Sequence, residues 1–115
     1  MQVQINSDNH LRLASESVQR YSETIADGLE RFSDRITRVE AHLADENSRA
    51  KNGHDMRCTL EARVAGLQPI VATAQSTALD QAVHGAIDKL VKTLGRTLDR
   101  LHDPKGRGSM AGEPS

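Results

Sequence analysis

Val83, Ile87, Leu90, Leu94, Leu98 and Leu101 recur at intervals of three and four residues near the end of a 115-residue chain. At ~100° per residue these positions share one side of an α-helix, the pattern of a helix that buries one face against a core. Lys89, Lys92, Arg96 and Arg100 fall on the other side, also three and four apart, with Asp88 and Asp99 to a flank and the row unbroken. A helix of this kind needs an apolar surface to lie on. It also presents a row of like charges to whatever lies outside.

The surface is legible upstream. Met56, Cys58, Leu60, Ala62 and Val64 form an apolar row against Arg57, Thr59, Glu61 and Arg63, the period of two of a half-buried strand. Val39, Ala41 and Leu43 alternate with Glu40, His42 and Ala44, and Val3 and Ile5 with Gln2, Gln4 and Asn6. Ile70, Ala72 and Ala74 supply the inner row of a last strand, entered from a turn marked by Gly66. Pro69 predicts an edge strand or a strand beginning there. Between the first two strands, Val18, Tyr21, Ile25, Leu29, Phe32 and Ile36 repeat at helical spacing. They predict a long first helix, with Ser15 as its N-cap and Glu16 suited to the helix dipole.

The predicted fold is α+β, in the order β-α-β-β-β-α. Both helices have a single apolar face, so a four-stranded sheet with the two helices packed on one face satisfies the pattern. The last five elements follow the order of double-stranded RNA-binding domains, which read shape and phosphate. The aromatics Tyr21 and Phe32 both fall on the core side of helix one, which argues against base stacking on the sheet. Residues 1–103 make one domain. The Gly/Pro-rich residues 104–115 are predicted to be a disordered tail, and the polar run 45–55 an exposed loop.

Charge is segregated along the first helix as well. Arg20, Arg31, Arg35 and Arg38 are predicted to share one flank, and Glu16, Glu23, Asp27, Glu30 and Asp34 the side away from the core. The arginine flank is a candidate continuation of the basic row on the last helix, in one RNA-facing surface. The net charge of −1 excludes an indiscriminate polycation and leaves a local basic patch open. His10, His42, His54, His84 and His102 are scattered and form no ligand set with Cys58, so no metal is expected. Cys58 stands in a strand's apolar row and reads as a small buried hydrophobe. No phosphate-binding glycine loop or nucleophile elbow is present, and neither an enzyme, a cofactor nor a small-molecule substrate is expected. No apolar run approaches the ~20 residues of a membrane span and no signal pattern opens the chain, so a cytoplasmic location and no membrane partner are expected.

Two segments carry a resemblance. Ala72 and Ala74 at a strand end, then Leu79, Ala82, Val83, Ile87, Asp88, Lys89, Leu90, Lys92, Leu94 and Arg96, stand without a gap against an Ala-x-Ala strand end and a helix of the type Met-Tyr-x-Ala-Ile-Asp-x-x-Ile-Asp-Lys-Leu-x-Arg-x-Leu-x-Lys. Leu29-Glu-Arg-Phe-Ser-Asp-Arg-Ile36 is similar to Leu-Glu-x-Tyr-Phe-Asp-Arg-Ile. Both patterns are those of the ribosome hibernation-promoting factors and ribosome-associated translation inhibitors, which residues 1–102 resemble. The resemblance implies two helices on a mixed sheet and a small-ribosomal-subunit partner, bound through ribosomal RNA in the decoding region. Translation would halt there in stationary or stressed cells. It further implies a short form without a C-terminal dimerisation domain, monomeric off the ribosome. The sequence departs from the pattern at Ile25 and Gly28, where lysines are usual, at Asp80 in place of an aromatic, and at His84 in place of an Asp. Those departures keep a second expectation open, an adaptor that binds a protein through the acidic face of helix one.

Overall fold

The computed structural model describes residues 1–8, 11–46 and 56–102. Strand β1 (Gln2–Ser7) is followed by helix α1 (Ser15–Gly28), a single 3₁₀ turn (Glu30–Phe32), strands β2 (Ile36–Asp45), β3 (Met56–Val64) and β4 (Ile70–Ser76), and helix α2 (Leu79–His102). The sheet runs in the order β1-β2-β3-β4, with β1 parallel to β2 and the other pairs antiparallel. The parallel pair requires a crossover, and α1 provides it. Gly66 turns the chain between β3 and β4 at φ 82°, a value L side chains rarely adopt.

Alternation decides which sheet residues face the helices. Val39, Ala41 and Leu43 of β2, Cys58, Leu60, Ala62 and Val64 of β3, and Ala72 and Ala74 of β4 are all buried. Against them lie Tyr21, Ile25, Leu29 and Phe32 from the first helical region and Ala82, Val83, Ala86, Ile87, Leu90, Leu94 and Leu98 from α2. Truncating a large member of this set, such as the fully buried Leu90, would cost about 2–5 kcal/mol. The Cys58 thiol, pushed up to about 12 by burial, behaves as the small hydrophobe its strand position predicts. Both helices thus lie on one face of the sheet. The other face, with Arg38, Glu40 and His42 of β2 and Arg57, Glu61 and Arg63 of β3, is not covered by a helix.

Four readings of the sequence are corrected. The first helix does not run to Ile36; it ends at Gly28, because Leu29 leaves helical geometry at φ −108°, ψ 12°. The 3₁₀ turn carries the same three-and-four spacing onward, which is why Leu29 and Phe32 are still buried. Ile36 is buried as a strand residue, three positions before the predicted strand start. Ser15 is the first helical residue and not the cap; the cap is Ala14, with no side-chain hydrogen bond, and its carbonyl accepts from the Val18 N–H at 3.0 Å. Leu101, placed on the core face by periodicity, is 55% exposed at the helix end. Asp45 of the predicted loop is the last residue of β2, most of that loop lies outside the described residues, and so does the predicted tail.

Candidate nucleic-acid interface

The apolar stripe of α2 fixes the rotation of the helix on the sheet and so determines where its other residues point. Lys89, Lys92, Thr93 and Arg96 come to lie beside Val71, Ala72 and Thr73 of the edge strand β4, lining an open groove of about 360 Å³. Lys89, Lys92, Arg96 and Arg100 are all exposed. Lys89 Nζ donates to the Thr73 carbonyl oxygen at 2.9 Å, which ties one cation of the row to the strand edge. Among the described residues no carboxylate pairs with Lys92, Arg96 or Arg100. A row of like charges at helical spacing cannot neutralise itself, so it remains available to phosphates.

The arginines expected to extend this row are dispersed. Only Arg20 belongs to α1; Arg31 is in the 3₁₀ turn, Arg35 follows that turn, and Arg38 is on β2. Arg20 Nη1 lies 3.6 Å from Asp80 Oδ1, and its guanidinium stands 4.8 Å from the centre of the Tyr21 ring. Arg31 packs over Phe32 at 4.7 Å, a cation–π contact. Arg38 is on the open face of the sheet, where Nε lies 3.3 Å from Glu40 Oε2 and Nη2 donates to Gln4 Oε1. The single flank expected of these arginines therefore does not form. It rested on a helix that ends before three of them.

The open sheet face pairs its charges internally. Arg63 lies 3.9 Å from Glu40 and 3.6 Å from Glu61, and Arg57 lies 2.9 Å from Glu46, which also accepts from Gln75 at 3.0 Å. Glu40 and Glu61 are cross-strand partners, like charges that would repel without the arginines beside them. Glu40, His42 and Glu61 also bring potential ligand atoms within 4.8 Å of one another. Reading the histidines for sequence spacing missed this set, because it is assembled across two strands. Arg38 and Arg63 already supply positive charge to its carboxylates.

The two helices meet at a clip that no sequence signal announced. The Tyr21 hydroxyl donates to Asp80 Oδ1 at 2.5 Å, across 59 positions of sequence. That hydrogen bond, with the charge of Arg20, holds the Asp80 carboxyl below its ordinary range. Burial, with the same hydrogen bond, pushes the Tyr21 phenol up. Lower down, a Cβ built on Gly28 would lie 2.7 Å from Ile87 Cγ2, so α1 approaches α2 closely only because residue 28 has no side chain. Ile25 is fully buried. The two positions where the resembled family usually has lysine are therefore packing positions here.

A family profile described as "Sigma 54 modulation protein / S30EA ribosomal protein" matches residues 3–102. Among solved structures, a ribosomal subunit interface protein from Coxiella burnetii is similar, with a TM-score of 0.65 at 16% identity, covering 86% of this chain and 99% of that one. The N-terminal domain of Thermus thermophilus Protein Y gives a TM-score of 0.65 at 18% identity, covering 84% of this chain and 99% of that one. Identities this low establish likeness of fold alone. No curated protein matches the chain.

Proposed function

The chain belongs to the Sigma 54 modulation protein / S30EA ribosomal protein family, and from that membership we propose that it acts on the ribosome. It binds the small subunit in the decoding region, through ribosomal RNA and the basic flank of α2. Occupying that region inhibits translation and promotes ribosome hibernation under stress or in stationary phase. The observation that carries this reading is the exposed row Lys89, Lys92, Arg96 and Arg100, none of whose members has a carboxylate partner among the described residues. Each phosphate such a row neutralises releases counterions, which favours association and makes it salt-dependent. Arg20, Arg31, Arg35 and Arg38 enter as secondary contacts; Arg20 and Arg38 would first have to release Asp80 and Glu40. The role is one of occupancy and not catalysis, needs no cofactor or small-molecule substrate, and is carried out in the cytoplasm by a protein that is a monomer off the ribosome. No helix among the described residues is long and apolar enough to cross a membrane.

Sedimentation of tagged protein across a ribosome gradient at two salt concentrations tests the reading. Co-migration with small subunits at low salt that falls steeply at higher salt is the expected result. Co-migration indifferent to salt would remove the phosphate contacts from the account, and no co-migration at either salt would remove the ribosome. The adaptor reading retains one supporting observation: Glu16, Glu23 and Asp27 of α1 are exposed.

A further inference from the structure

Between α1 and α2 runs a second groove, of about 540 Å³, whose chemistry is the reverse of the first. Thr24, Asp27 and Gly28 form one wall; His84, Ile87, Asp88 and Val91 form the other. Ile87 and Val91 give it an apolar lining, and Gly28 on the facing wall adds no side chain to it. Asp27 and Asp88 are exposed on opposite walls. Elsewhere Glu40, Glu46, Glu61 and Asp80 each have an arginine partner, but among the described residues neither Asp27 nor Asp88 has an ion-pair partner.

We propose that the α1–α2 groove is a docking site for a cationic segment of a basic protein, an arginine side chain lying along Ile87 and Val91 with its guanidinium between Asp27 and Asp88. Arginine joins an apolar stem to a planar charged head, so an apolar lining beneath two carboxylates matches both parts. RNA is disfavoured, because the two carboxylates would meet phosphates of like charge. The volume falls in the roughly 300–1,000 Å³ range of sites that hold a compact ligand, enough for a short extended segment. The inference rests on the ribosome reading for its setting: proteins that thread between RNA strands are themselves rich in arginine and lysine. The basic flank of α2 then meets phosphate while the groove on its other flank meets the protein beside it.

The test uses the full chain without ribosomes, so its failure is separate from failure of the ribosome reading. A short peptide of alternating arginine and alanine is titrated into the protein, with affinity measured by calorimetry and amide shifts by NMR. Shifts centred on Thr24, Gly28, His84 and Val91 are expected. Asp27→Asn with Asp88→Asn should weaken binding about tenfold. Glu30→Gln with Asp34→Asn, the same change of charge at exposed positions outside the groove, should change it less than about twofold. Melting curves establish that each variant is folded. Equal weakening by both pairs would reduce the effect to bulk charge and overturn the proposal, as would absence of peptide binding. Groove shifts produced instead by a short single-stranded RNA would also overturn it. So would salt-sensitive self-association in sedimentation equilibrium that Lys92→Glu with Arg96→Glu abolishes, which would assign the groove to a second copy of this chain.

Discussion

Along its β4 side, α2 carries Lys89, Lys92 and Arg96 beside an open groove, and of the three only Lys89 has a partner among the described residues, the Thr73 carbonyl. Along its α1 side the same helix is fastened: Asp80 accepts from Tyr21 and faces Arg20, and Ile87 sits where Gly28 leaves room. The fastened flank adds to the rotation that the apolar stripe sets, and that rotation aims the cations of the other flank. A third region, the open sheet face, has comparable chemistry with a different outcome. Its arginines lie beside glutamates and neutralise them, along one strand for Arg38–Glu40 and Arg63–Glu61 and across two for Arg63–Glu40. Strands bring residues distant in sequence side by side, so opposite charges can be interleaved. A helical row of one sign has no such recourse.

The largest effect expected from this contrast is on the ribosome. Lys92→Gln with Arg96→Gln should weaken co-sedimentation with small subunits by roughly 100-fold and flatten the salt slope by about two charges. Both positions are exposed, so the fold should survive. The matched change on the sheet, Arg57→Gln with Arg63→Gln, should alter binding less than about threefold. Equal losses from the two pairs would erase the distinction between free and internally paired charge.

The fastened flank is tested by packing. Gly28→Ala sets a methyl 2.7 Å from Ile87 Cγ2, a side chain only 6% exposed and poorly able to yield. A loss of about 1–3 kcal/mol is expected in denaturant melts. Gly95→Ala, in α2, meets nothing within 4 Å, and should leave stability unchanged or raise it by up to about 1 kcal/mol through helix propensity. If Gly28→Ala proves neutral, the close approach of α1 does not hold α2 in its rotation.

The smallest effect belongs to the clip. Asp80 and Arg20 are both more than half exposed, so Asp80→Asn should cost less than about 1 kcal/mol near neutral pH. Its carboxyl is held below the ordinary value of 3.8, so the folded state favours the charged form. The stabilisation is therefore complete above that value and is lost as pH falls through the lower, folded one. Melting temperatures of wild type and Asp80→Asn should converge over that acidic window. A gap that persists there would mean that the hydrogen bond to Tyr21 matters without the charge.

Period alone was enough for the inner rows of the sheet and, Leu101 apart, for the core face of α2. Cys58, Leu60, Ala62 and Val64 are buried as alternation requires, and Val83, Leu90 and Leu94 as helical spacing requires, because each pattern has one geometry that buries all its members. The row Lys89, Lys92, Arg96 and Arg100 was readable for the same reason. Spacing could not locate the end of α1, since a 3₁₀ turn keeps Leu29 and Phe32 on the helical period while the backbone leaves the helix. The partners of Arg20, Arg38 and Asp80, the acidic groove between the helices and the packing of Gly28 on Ile87 all depend on elements far apart in the chain. Local propensity carries no record of such distances. They are set when two helices settle on one face of a sheet and residues 59 positions apart come within a hydrogen bond of each other.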